Sequence, residues 1–184
     1  MLDLTIWNSA VVLVDWQERL VGAMPPAVHE NNAAKAAILL RAARAAEVPV
    51  LATEQYPKGL GHTIPALREA YGEPFAPTEK RDFACTDVPE FLEQLTASGR
   101  THVVLIGMEA HVCVYQTARG LLEEGFVVHV PTDAVVSRSK RDYLAAVGLY
   151  QQMGAVTTSV ETVVFDWVKR AEGDLFKTVS RLVR

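Results

Sequence analysis

Cys113 is one of only two cysteines in a chain of 184 residues, and it lies in "GMEAHVCVYQTARGLLEEG", where an apolar run gives way to a helical pattern. A free cysteine is commonly a small buried hydrophobe. Here the run "THVVLI" ends near Gly107, and a helix is expected from about Ala110 to Val112, so the sulfur falls in the first turn. Unpaired N–H groups and the positive end of the helix dipole favour a thiolate there, and the same groups can hold an oxyanion. Asp15 follows directly on "VVLV". A carboxylate in that place is costly to bury alone, so it caps a turn or faces a polar cleft, where it could take a thiol proton and return it to a leaving group. Lys80, in "TEKRD", reads by itself as an exposed charge. Beside a carboxylate and a thiol it would stabilise both anions, although these residues alone do not choose between Lys80 and Arg81.

The elements that must position these groups follow from apolar runs alternating with helical segments. Strands are expected over Ala10 to Asp15, Val48 to Thr53, His102 to Gly107, Phe126 to Pro131 and Ala155 to Ser159, with a weaker sixth near Phe75 to Glu79, where two prolines interfere. The first three are almost continuous in Val, Leu and Ile, as parallel strands covered on both faces require. Between them, Asn32 can cap "AAKAAILLRAARAAE"; Asp87 precedes a helix with Pro89 in its first turn and Gly99 past its end; Ser137 or Ser139 opens a helix that Gly154 ends. This order predicts an α/β fold: an open six-stranded parallel sheet flanked by helices on both faces, one domain over residues 1–184. Ligands in such sheets bind outside the carboxyl ends of the strands, where Asp15, Gln55, Tyr56, Lys80 and the Cys113 segment converge.

Composition narrows the partners. Hydrophobic residues make up 49% and charged residues 22%, with a net charge of −4. That balance suits a soluble globular protein and provides no basic field for nucleic acid or an anionic membrane. The N-terminal segment does not read as a signal peptide, no apolar run nears the roughly 20 residues of a membrane span, and two cysteines without metal spacing make a poor disulfide framework. A cytoplasmic protein with a small-molecule substrate is the expectation.

The segments "VVLVDWQERL", "VLATEQYPKGLGHTIPAL", "EKRDFAC", "VVLIGMEAHVCVYQTARGLLEEGFVVHVPTDAVVSRS" and "LYQQMGAVTTSVE" together resemble the isochorismatase-like cysteine hydrolases. The resemblance implies an Asp-Lys-Cys triad of Asp15, Lys80 and Cys113. It also implies a cis peptide at Glu109–Ala110 and an oxyanion hole from the Ala110 and Cys113 N–H groups. Nicotinamidases of this family carry a D-x-H metal motif where this chain has Glu54, Gln55 and Tyr56, so no metal or other cofactor is expected. Family isochorismatases of siderophore pathways lack the cysteine, which turns attention from isochorismate to carbon–nitrogen bonds of small amides or carbamoyl compounds. Trp16, Gln55, Tyr56, Phe83, His111 and Tyr115 are candidates for the substrate pocket, with packing of the loop "YPKGLG" as the plainer role. Asp133 reads as a turn residue and Cys85 as a non-catalytic thiol. The family also implies a homo-oligomer. Two other readings stay open: a catalytically silent binding or scaffold protein, and a redox-responsive thiol protein.

Overall fold

The computed structural model describes residues 3–184; Met1 and Leu2, at the start of the expected domain, lie outside the described residues. The strands are β1 (Ser9–Val14), β2 (Val50–Gln55), β3 (Thr78–Lys80), β4 (His102–Met108), β5 (Val127–Pro131), β6 (Val135–Val136) and β7 (Val156–Thr158). All pairs are parallel, and the path across the sheet runs β3-β2-β1-β4-β5-β7, with β6 against the end of β4. The sheet thus has seven strands among the described residues rather than six. The addition is the two-residue β6, too short to carry a period in the sequence.

The helices are α1 (Glu18–Val21), α2 (Pro26–Ala45), α3 (Pro57–Leu60), α4 (Pro65–Tyr71), α5 (Pro89–Ala97), α6 (Tyr115–Glu123), α7 (Lys140–Gln152), α8 (Val160–Val168) and α9 (Gly173–Leu182). Strand alternation divides the core into two layers. Val11, Leu13, Val104, Ile106 and Met108 pack with α2, α8 and α9 on one face. Ala10, Val12, Val14, Val103 and Leu105 pack with α5, α6 and α7 on the other. Every residue of β1 is buried, which is why its sequence shows no polar alternation.

Two expected helix starts need revision or refinement. α2 begins at Pro26, six residues before Asn32, because proline's fixed φ suits the first turn. Asn32 instead lies buried inside the helix and donates through Nδ2 to the Val135 carbonyl at 2.8 Å. Ser139, not Ser137, caps α7, accepting from the Asp142 N–H at 3.1 Å.

Candidate active site

Because β1 to β4 run parallel, their carboxyl ends open on one edge of the sheet and place Asp15, Gln55 and Lys80 together. The β4 chain can approach β1 this closely only as glycine: a Cβ at Gly107 (φ 136°) would stand 2.2 Å from the Val14 carbonyl oxygen. After β4 the backbone makes a wide helical turn over Ala110–Val114, in which the Glu109 carbonyl accepts from the N–H groups of Val112 at 3.0 Å and Val114 at 3.2 Å. Cys113 lies in this turn, in the first helical coil before α6, as its sequence position predicts. The non-proline cis peptide is Met108–Glu109, one bond before the expected Glu109–Ala110. Glu109 already belongs to the capping geometry of the turn, so the junction with the strand falls on its amino side. Among the described residues, neither the Ala110 nor the Cys113 N–H donates to a backbone carbonyl outside the turn.

Asp15 adopts φ 47°, a left-handed conformation that non-glycine residues seldom occupy and that clusters at functional sites. Its carboxylate is fully buried and meets the equally buried Lys80 ammonium, Oδ2 to Nζ, at 2.6 Å. The other oxygen, Oδ1, accepts from Thr53 Oγ1 at 2.8 Å. Thr53 also lies 3.6 Å from Cys85 Sγ. A threonine hydroxyl has one proton, already given to Asp15, so the Cys85 thiol is the donor in that contact. Cys113 lies within electrostatic reach of this pair, the Asp15 charge raising its pKa and the Lys80 charge lowering it.

Burial alone would lower the Lys80 pKa, but the Asp15 charge and the two sulfurs outweigh it, and the ammonium is held above its usual range. Burial, reinforced by the Asp15 charge and opposed by Lys80, pushes the Cys113 thiol up to about 12. The resting sulfur is therefore a thiol, not the thiolate expected from the helix dipole. Desolvation outweighs the dipole because the sulfur is buried. The arrangement is a thiol beside a buried carboxylate–ammonium pair.

The proposed pocket residues are distributed unevenly. Tyr56, at φ 38°, is partly exposed, with the Arg81 guanidinium 3.7 Å above its ring. Phe83 is 52% exposed, and its carbonyl accepts from Lys80 Nζ at 3.1 Å. His111 is half-buried, its Nδ1 3.0 Å from Ser137 Oγ, and Tyr115 lies half-buried near Arg119. Trp16 does not line the cleft: it is fully buried in the α2 layer, its ring centroid 6.1 Å from that of His29. An indole at the end of a core strand gains more by burial than at an open wall. The Gln55 amide is likewise tied within the protein, to Lys80 Nζ and the Arg81 carbonyl. Asp133 accepts from the Val160 N–H at 2.9 Å, bracing the start of α8 rather than its own turn.

No role for Thr53, for Gln17 or for a Glu54–His62 pair follows from the sequence alone. Thr53 pairs with Val14 in the sheet register and so stands beside Asp15, a strand-end position that the sequence makes visible once the parallel order is assumed. Gln17 is fully buried, and its role depends on a loop that no period announces. On the other side of β2, buried Glu54 accepts from the Thr63 N–H at 2.7 Å and pairs with His62 Nδ1 at 2.9 Å. No group of three or more His, Cys, Asp or Glu able to hold a metal ion occurs among the described residues.

The fold is a parallel α/β sheet that gathers an acid, a cation and a thiol at its carboxyl edge. The isochorismatase domain model matches residues 9–162, and the chain belongs to that family. Isochorismatase domain-containing protein 2 of Bos taurus is 35% identical over 178 residues, 96% of this chain and 83% of that protein. Among solved structures, the MAR1 ribonuclease from Caenorhabditis elegans superposes with a TM-score of 0.91 at 37% identity, over 98% of this chain and 91% of that one. YcaC from Pseudomonas aeruginosa, with hexane-2,5-diol and covalent acrylamide, gives 0.88 at 25% identity, over 98% and 89%.

Proposed function

We propose that this protein is a metal-independent cysteine hydrolase that cleaves a carbon–nitrogen bond of a small amide or carbamoyl compound. The observation that carries this reading is the buried Asp15–Lys80 pair, Oδ2 to Nζ at 2.6 Å, with the Cys113 thiol within reach of both charges. Asp15 takes the thiol proton as the sulfur attacks the carbonyl carbon, forming a tetrahedral adduct. The Ala110 and Cys113 N–H groups hold its oxyanion, each such donor contributing roughly 3 kcal/mol in comparable sites. Asp15 then gives the proton to the departing amine, leaving a thioester on Cys113. Water attacks the thioester, its proton passing to Asp15 and on to the sulfur, and the acid is released. Tyr56, Phe83, His111 and Tyr115 offer a partly apolar rim for a flat substrate.

Two further facts favour this chemistry. Glu54 and Gln55 already spend their polar atoms on Thr63, His62, Lys80 and Arg81. Acrylamide, covalently held by the P. aeruginosa relative, is both an electrophile and a small primary amide. The net charge of −4 gives no general attraction to a polyanion, so the amide reading is preferred to the RNA hydrolysis named for the C. elegans neighbour.

Ammonia release by wild type and Cys113→Ala across primary amides and N-carbamoyl compounds, with and without chelator, tests the proposal; an RNA substrate forms a parallel arm. Chelator-resistant release that vanishes in the variant is expected. Undiminished turnover by Cys113→Ser, or hydrolysis of RNA alone, would sink it.

A further inference from the structure

Gln55 ends β2 opposite Lys80 in the sheet register, and its polar groups are engaged within the protein. Oε1 accepts from Lys80 Nζ at 2.7 Å, Nε2 donates to the Arg81 carbonyl at 2.7 Å, and the backbone N–H donates to Gln17 Oε1 at 2.7 Å. Fully buried Gln17 returns a bond from Nε2 to the Gln55 carbonyl at 3.0 Å and another to the Gly61 carbonyl at 2.6 Å. Gln55 is thus braced from below and fixed at both ends of its amide.

An ammonium has three protons. At Lys80 these are met by Gln55 Oε1 and by the carbonyls of Phe83 at 3.1 Å and Asp82 at 3.2 Å, all neutral acceptors, and the Gln55 contact is the shortest of them. Asp15 Oδ2, at 2.6 Å, is a fourth oxygen against the same charge. Neutral acceptors leave the positive charge undiminished for Asp15 while occupying the protons that would otherwise turn to it. Without Gln55, a desolvated N–H is left unsatisfied, and the nearest remaining acceptor is Asp15. That N–H would occupy the carboxylate that the proposed function needs to receive the Cys113 proton.

The geometry points to Gln55 as a positioning residue, which acts through Lys80 to keep Asp15 free to accept the Cys113 proton. The inference rests on the proposed reading of those three residues as the reacting group. It replaces a substrate-contact role for Gln55 with one upstream of the chemistry.

Iodoacetamide alkylation of Cys113, located by mass spectrometry and followed from pH 7 to 10, tests this in wild type, Gln55→Met, Lys80→Met and the double variant. No substrate is needed, so a silent amide panel leaves the measurement intact. In the Lys80 protein, Gln55→Met is expected to move the rate–pH line about one unit to the alkaline side, about tenfold slower at pH 8. In the Lys80→Met background the same change should slow alkylation by under about twofold, the non-additivity of residues that act through one another. Equal slowing in both backgrounds, or none in either, overturns the inference. Should Gln55→Met lose its thermal unfolding transition, Gln55→Ala serves in the same cycle.

Discussion

At the scale of single residues, the two thiols set thiolate population against access. Burial pushes Cys85 up to about 11 and Cys113 up to about 12, so ionisation alone favours Cys85. One unit is worth about tenfold in thiolate at a given pH. Access points the other way: Cys85 has no exposed surface, whereas Cys113 retains 6%. A reagent larger than water must open the fold to reach Cys85, and local opening of a packed core costs more than a tenfold factor. Cys113 is therefore expected to alkylate first, and its rate to climb steadily from pH 7 to 10 without a plateau. Peptide mapping over a time course checks both; a rate already saturated at pH 7 would mean a resting thiolate. Cys113 and Asp15 were legible as strand-end residues from the chemistry of their types. Thr53 and Gln55 were not legible in their roles, because a hydrogen-bond direction depends on side-chain geometry rather than on sequence order.

At the scale of elements, α2 and the loop after β2 show where periodicity stops being informative. Asn32 looks like a cap before an alanine-rich run, but tertiary packing continues the helix through it to satisfy the Val135 carbonyl of β6. Asn32→Leu leaves that carbonyl without its donor, and a loss of about 1–3 kcal/mol in urea-denaturation stability is expected. A loss under about 0.5 kcal/mol would mean that the bond contributes little. The long runs of β1 and β4 were readable because strands buried on both faces are apolar throughout, while β6 and the turns of residues 56–63 lack any run to read. Those turns are fastened by His62, whose pKa is raised chiefly by its hydrogen bond to Glu54 and by that carboxylate's charge. A raised folded pKa gives stability that is complete below the unfolded value and is lost as pH rises through the folded one. The Tm advantage of wild type over His62→Gln is expected to shrink between pH 5 and 8; a constant difference would show that the pair does not titrate with folding.

At the scale of the whole molecule, acid stability should be set in part by His129, inside β5. It pairs with Val104 and Val156 in the sheet register and is 2% exposed. Burial, helped by His102 stacked 5.7 Å away and opposed by Asp166, lowers its pKa to about 4. In the unfolded chain an imidazole takes its proton near pH 6.5, so between that value and about 4 the unfolded state binds more protons than the folded one. Stability must then fall as the pH drops through this window, with a slope of at most about 1.4 kcal/mol per unit from this group. His62 acts in the opposite sense above pH 6.5, next to this window, so the total curve would not isolate either residue. His129→Leu removes one contribution while keeping a buried side chain at the position. Urea midpoints from pH 7.5 to 4 should decline less steeply in this variant than in wild type, with no difference in slope above pH 7. Parallel curves would mean that His129 does not carry the proton linkage, and that the interior of the sheet is insensitive to acid at this position.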